Sequence, residues 1–332
     1  MCLGTKTLLL LLRVHFGGNE IVVLEDTGTM EAVLDFNPNE WADEVGQSSH
    51  TAVGHAAAFV AYWAYYYTFI HVLYYVGGGF IRQLFKLFKP SAPTLTLSKT
   101  LTSEQIGISE IAFPLYSAVP ALSDVCLRLG ISKIRPTVDA CGGWGISFRN
   151  MLIYMFFVEG MIYYIHFWLL HKWAWGKDNL KHDIHHAYKH EHEMSTWSGF
   201  AFEAVDGAAQ GLPFVVCTLI VPIPKIFHVI SGASVGLWTM YIHTGNPVTL
   251  PWPLMGSDYH LIHHVFNWYN FGLYTMFWDW LFGTLKHPSS SVNDFITATK
   301  EKPKSLAELH DLFHNDDVLS KHARNSQGKK HK

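Results

Sequence analysis

Charge is scarce in this chain. Asp, Glu, Lys and Arg supply 15% of its 332 residues, where ordinary globular domains carry roughly 25%. Residues 51–76 contain none of the four. An uncharged run of that length exceeds the about 20 apolar residues that cross a bilayer, so a purely soluble pair of domains is not expected. A net charge of −3 gives no basic footprint for nucleic acid. Cysteine is scarce too. Cys2, Cys126, Cys141 and Cys217 form no Cys-x-x-Cys pattern, which predicts neither a disulfide framework nor a cysteine-built zinc site. Cys126 and Cys217 stand in apolar segments and read as small packing residues.

The apolar and aromatic residues, 49% and 15% of the chain, fall in discrete segments. Residues 1–50 are a polar, acidic head with eight carboxylates against Lys6 and Arg13. The Leu8 to Leu12 run within it is too short to span and lacks a convincing cleavage site. A first span is expected over 51–76, ending at Gly77-Gly78-Gly79. A second apolar stretch, 106–129, contains Pro114 and Pro120 and reads either as a crossing or as a re-entrant pair of half-helices. A span over 151–170 follows. Stretches 205–221 and 226–242 meet at Pro222-Ile223-Pro224 and read as a tight helical hairpin. Basic residues Arg82, Lys86, Lys89 and Lys99 after the first span mark a cytosolic connection. The expected architecture is therefore all-α: a polytopic membrane protein with four or five transmembrane helices and a cytosolic, histidine-rich helical cap. Its parts would be the head (1–50), a membrane-embedded domain (51–285) and a polar tail (286–332) with a short helix near 305–313. The last residues, Lys329-Lys330-His331-Lys332, resemble a dilysine retrieval signal, which would place the protein in the endoplasmic reticulum with its C-terminus cytosolic.

Histidine is what the chain has in excess, 21 in all. The pattern His-x-x-His-His occurs twice, as His182, His185, His186 and as His260, His263, His264. On a helix each set would lie at i, i+3 and i+4 and share one face, so each reads as a metal half-site. His166 and His171 close the 151–170 span at i, i+5, about 140° apart on an ideal helix. A π-bulge would realign them, or each could serve a different ion. His243 ends the segment 226–242. These nine residues, His166, His171, His182, His185, His186, His243, His260, His263 and His264, are the candidate ligands. They outnumber the four of a structural zinc site and fit a pair of ions. Imidazole suits zinc, copper, iron or nickel alike. His55 and His71 near span ends read as hydrogen-bonded structural groups. His190, His192, His287, His310, His314, His322 and His331 read as ordinary surface.

Neutral ligands call for carboxylates behind them to orient the rings. Glu159 lies seven residues before His166 inside an apolar span, and an intramembrane acid marks a functional site by default. Asp183, Asp206, Asp258 and Asp279 are the other candidates. Asp206 also reads as a helix cap, and Asp279 as a surface acid on a tryptophan-rich interfacial helix. A metal transporter would need polar residues along the middle of its spans, and these spans are poor in them.

Together the acid seven residues before His166, the His-x4-His, the two His-x-x-His-His sets, Gly199 to Gly207, Trp238 to His243, Asn270-Phe271-Gly272 and Trp278 to Thr284 resemble the fatty acid hydroxylase and sterol desaturase superfamily of membrane di-iron enzymes. Within it the pattern resembles the sterol C-5 desaturases. The resemblance implies two iron ions held by the nine histidines, with Glu159 and Asp279 fixing the imidazoles. It implies dioxygen as co-substrate and a 5,6 double bond introduced into a Δ7-sterol. Electrons would come from NADH through cytochrome b5 and its reductase. Two features depart from that pattern. The first pair is spaced His-x4-His rather than His-x3-His, as in fatty acid 2-hydroxylases, and Glu203-Ala204 stands where the family has His-Pro. The spacing keeps a lipid hydroxylase, acting on a fatty acyl chain or a sterol methyl, as the alternative.

Overall fold

The computed structural model describes residues 52–190 and 192–288. The head, the dilysine-like end and the expected helix near 305–313 lie outside the described residues. Within them the chain is helical, and its few strand-like contacts are two isolated bridges. Helix α1 (Ala52–Val72) runs without a break through a π-helical turn, Leu73–Gly77, into α2 (Gly78–Phe88). The glycines expected to end the first span thus lie inside helix. They permit close approach there: a Cβ on Gly77 would press on Leu237, and one on Gly78 on the Trp197 ring.

After the one-turn helix α3 (Pro93–Thr96), α4 (Lys99–Arg128) opens with Ser98, whose side chain accepts from the Leu101 N–H. It continues past both prolines as a single 30-residue helix, so the re-entrant alternative does not hold. Proline removes a backbone N–H but need not end a helix whose sides are packed, and here α1 packs along one flank. Tyr66 donates to Asp124 (2.6 Å) and Trp63 to the Pro114 carbonyl (2.7 Å). Helix α5 (Trp144–Tyr164) starts after Gly142 and Gly143, both at positive φ, and passes into a second π-helix, Ile165–Lys172. Among the described residues, two helices are long and apolar enough to cross a bilayer, Lys99–Arg128 and Trp144–Lys172.

A short α6 (Ala174–Leu180) and the loops that follow lead to α7 (Ala204–Thr218) and α8 (Lys225–Ile242). These two are not the closely packed hairpin expected from Pro222 and Pro224. Helix α7 packs on α4 and α5, whereas α8 packs on the π-turn after α1, on the 3-10 helix Thr196–Phe200 and on α9 (Ser257–Phe266). The linker is extended because Arg135 bonds it on both sides, its N–H donating to Ile223 and its carbonyl accepting from Lys225. The splayed helices leave a chamber between them. A last short helix, α10 (Phe277–Phe282), leans on α5, with Trp278 lying over Gly160.

Cys126 and Cys217 are buried and, with Cys141, unpaired. The outer faces of the long helices carry exposed apolar side chains, among them Ile111, Phe148, Leu152 and Phe157. Helices held together in an apolar solvent rely on close packing of small residues. Gly207 on α7 serves that purpose, since the Tyr116 ring occupies the place its Cβ would take.

Candidate metal centre

Nine buried imidazoles come together where α5, α8 and α9 end. His166, His171, His182, His186 and His263 form one group, and His185, His243, His260 and His264 a second. Within each group the ligand-capable atoms lie within 4.8 Å of one another. The groups adjoin, with the His186 and His264 ring centroids 4.6 Å apart.

Local chain geometry explains the assembly. The π-helix Ile165–Lys172 brings His166 and His171 into one group, their ring centroids 5.1 Å apart. Of the two ways the sequence allowed this pair to act, the structure adopts the shared one. The first triad is not on an α-helix. His182 follows Lys181, at φ 52, in a turn, and His185 and His186 open a 3-10 helix, His185–Ala187. Each triad is also divided between the groups, so each contributes to both, as two half-sites facing each other would. On α9, His263 and His264 project about 100° apart and enter different groups, while His264 stays with His260 one turn earlier. In the turn, His182 and His186 enter the first group and His185 the second.

Hydrogen bonds fix which nitrogen faces inward in five of the nine rings. Nδ1–H donates to the Phe271 carbonyl from His166 (2.8 Å), to the Thr239 carbonyl from His243 (2.6 Å), to the Tyr269 carbonyl from His263 (2.8 Å) and to the Tyr188 carbonyl from His264 (2.9 Å). His182 donates to the Asp206 carboxylate (2.7 Å). A neutral ring that donates from Nδ1 carries its lone pair on Nε2. The Nε2 atoms face each other. His166 and His182 approach to 3.2 Å, two acceptors with no proton between them. Other Nε2 pairs lie at 3.1 Å (His182 and His186, His186 and His263, His260 and His264) or 2.9 Å (His185 and His243, His243 and His260). Buried lone pairs aimed at one another repel unless a cation sits between them. Metal–nitrogen bonds of about 2.0–2.1 Å set at right angles would space neighbouring nitrogens by about 3 Å, as seen here. The residues therefore fit a pair of metal ions. Burial, and then the neighbouring imidazoles, push His185, His186, His260 and His263 well below the usual histidine range, and His243 is lowered by burial to about 4. The rings are thus kept neutral, as ligands must be.

The carboxylates divide differently from expectation. Asp206, fully buried in the first turn of α7, is the one of the five candidate acids bonded to an imidazole of the two groups. Glu159 and Asp279 touch none. Glu159 accepts from the Tyr274 N–H (2.9 Å), the Thr275 N–H (3.1 Å) and the Thr275 hydroxyl (2.9 Å). Asp279 accepts from the Phe271 N–H (2.8 Å), the Gly272 N–H (2.9 Å) and the Thr284 hydroxyl (2.7 Å), and burial still raises it to about 6. Both clamp the loop 271–275, whose Phe271 carbonyl holds His166, so their reach to the rings is indirect. Asp279 is buried rather than a surface acid. Asp258 holds Thr249, and Asp183 is exposed. His71 bonds Tyr67 and Glu110, and His287 bonds Tyr259. His190 is buried, contrary to its surface reading, and stacks on the exposed His192 outside both groups. The backbone acceptors Tyr188, Thr239, Tyr269 and Phe271 carry no residue-type signal that a sequence could give.

Asp206→Asn is expected to weaken metal retention about 10- to 100-fold. The measurement is metal content after dialysis against graded chelator, and wild-type retention would refute the role of Asp206.

The chamber ends against this centre. Its space, about 220 Å³, is lined mainly by apolar side chains of α1, α4, α7 and α8. One end wall is a single residue thick. Phe202 lines the chamber and stacks on His185, with centroids 3.8 Å apart. Thr239 lines it and receives the His243 N–H, and Gln210 lines it and donates to Asp206 (3.0 Å).

Known proteins give the following likenesses. The fatty acid hydroxylase family model matches residues 151–284. A protein of Arabidopsis thaliana provisionally named Delta(7)-sterol-C5(6)-desaturase 2 is 33% identical over 256 residues, covering 74% of this chain and 86% of the relative. The Delta(7)-sterol-C5(6)-desaturase of Nicotiana tabacum is 34% identical over 55% of this chain and 66% of its own length. The lathosterol oxidase of Mus musculus is 32% identical over 58% and 64%. No solved structure matches.

Proposed function

The chain belongs to the fatty acid hydroxylase family, and from that premise we propose that it is a sterol C-5 desaturase, converting a Δ7-sterol and dioxygen into the Δ5,7-sterol and water. The observation that carries this reading is the apolar chamber ending one residue from nine convergent imidazoles. A sterol is large, apolar and rigid, and the chamber offers mainly apolar walls. Its names among relatives give the same substrate class.

Two iron ions in the histidine groups would supply the oxidising power that dioxygen needs to remove hydrogen from unactivated carbon. The protein's own residues do the rest. Five Nδ1–H bonds hold the rings with their lone pairs inward. The clamps at Glu159 and Asp279 keep the 271–275 loop in place behind His166. Phe202 and the chamber walls exclude water from the carbon being oxidised. The sterol gives up two hydrogens, dioxygen leaves as two waters, and the two further electrons come from NADH through cytochrome b5 and its reductase, on the cytosolic face. In this reading α1, α4, α5, α7 and α8 supply four or five crossings of the endoplasmic-reticulum membrane, and the imidazoles form a cytosolic cap over them.

Hydroxylation of a lipid would start from the same hydrogen abstraction. Expression in yeast lacking its own C-5 desaturase separates the two. The expected result is restored Δ5,7-sterol, two hydrogens lighter than the accumulated precursor. A product one oxygen heavier, or no change in the sterol profile of cells that contain the protein, would refute desaturation.

A further inference from the structure

Two polar side chains mark the ends of the chamber, whose wall also carries the hydroxyls of Tyr65, Tyr66, Tyr116, Ser117 and Thr239. At its far end, His228 near the start of α8 meets Ser123 (3.2 Å) and Tyr154 (3.3 Å), so both of its ring nitrogens are engaged. At the metal end stands Gln210 on α7. Along α8 the chamber wall runs from His228 to Thr239, about 16 Å at 1.5 Å per residue.

A sterol has one polar atom, the 3-hydroxyl oxygen. It is three bonds from C5, hence within about 4 Å of it at roughly 1.5 Å per bond. The hydroxyl and the carbon to be oxidised must therefore arrive at the metal end together. A hydroxyl seated at His228 would leave C5 most of the chamber's length from the imidazoles.

We propose that Gln210 binds the substrate's 3-hydroxyl and so sets which carbons meet the metal centre; this rests on the sterol desaturase reading above. One N–H of the Gln210 amide donates to Asp206 Oδ1 (3.0 Å), and the other oxygen of that carboxylate receives His182 (2.7 Å). That bond orients the amide and leaves its second N–H and its oxygen for the chamber. An amide placed so can both give to and receive from a hydroxyl. Gly207, Gly211 and Phe214 on the same face of α7 complete an apolar wall around it. The sterol side chain then points toward His228.

The test compares wild type with Gln210→Met, which keeps the volume and removes the hydrogen bonds. Both are assayed in membranes on a 3β-hydroxy Δ7-sterol and on its 3-deoxy analogue, with metal content measured in parallel. Wild type is expected to prefer the hydroxylated sterol in kcat/KM. Gln210→Met should lose about tenfold on that sterol, the worth of one neutral hydrogen bond, and nothing on the deoxy analogue, at unchanged metal content. An equal loss on both sterols, or a fall in metal content, would show that Gln210 only supports Asp206 and would overturn the proposal. So would a wild type indifferent to the hydroxyl. A metal-loaded wild type that converts neither sterol would instead overturn the assigned activity, and the proposal with it.

Discussion

His263→Ala and His264→Ala, neighbours on α9, are expected each to abolish sterol desaturation, but by emptying different sites. His263 belongs to the five-histidine group and His264 to the four-histidine group. Each single variant should keep about half of the wild-type metal. The two doubles then diverge. His260→Ala with His264→Ala, both in one group, should hold about as much metal as His264→Ala alone. His263→Ala with His264→Ala should hold almost none. Substitutions that share a site are non-additive, whereas those at separate sites add. Metal analysis of purified protein, alongside immunoblots showing equal accumulation in membranes, reads the outcome. Either single variant with full metal and full turnover would remove the histidine groups from the chemistry. Equal metal loss in the two doubles would mean a single shared site. The experiment targets a feature that the repeated sequence pattern leaves open, namely which histidines of each triad act together.

Gly232→Trp is expected to cut sterol turnover at least tenfold while leaving metal content and protein level unchanged. Gly232 lies on α8, exposed at the mouth of the chamber, and nothing stands within 4 Å of where its Cβ would be. A Cβ added there meets no neighbour, and replacing a mid-helix glycine favours the helix by up to about 1 kcal/mol. Lost activity would therefore report blocked access rather than a damaged fold. Gly236, one turn on, makes an instructive contrast, since its Cβ would strike Leu73 and substitution there would disturb packing as well. Gly232→Ala serves as the control and should behave as wild type. A Gly232→Trp enzyme with normal turnover would mean that substrate reaches the centre by another route.

Much of this protein was legible from residue order alone. Apolar runs poor in charge located the long helices, because ionised groups are costly to hold in an apolar medium. The nine histidines stood out by spacing, and a π-turn, found at Ile165–Lys172, was one of the two ways that spacing allowed the i, i+5 pair His166 and His171 to act. The second triad was readable as helix because α9 obeys ordinary helical spacing. The first triad was not, since its turn depends on Lys181 adopting a left-handed backbone that no local pattern demands.

The roles of the acids were less legible. Spacing put Glu159 two turns from His166 on the same helix, yet its carboxylate turns to backbone N–H groups 115 and 116 residues away in sequence. Asp206, which does hold an imidazole, looked like a cap because its partner His182 lies 24 residues earlier, in a loop. The chamber was invisible for a similar reason. Pro222 and Pro224 suggested a closed hairpin, whereas Arg135 holds that linker extended and the two helices seek different neighbours.

Sequence by itself determined the helical class and the nine candidate ligands, for these follow from side-chain chemistry and from periods of a few residues. Only the tertiary structure decided which imidazoles group together, which acid orients a ring and where a substrate could lie. Those depend on contacts between segments far apart in the chain, where backbone carbonyls and empty space, neither of them encoded by residue type, take part.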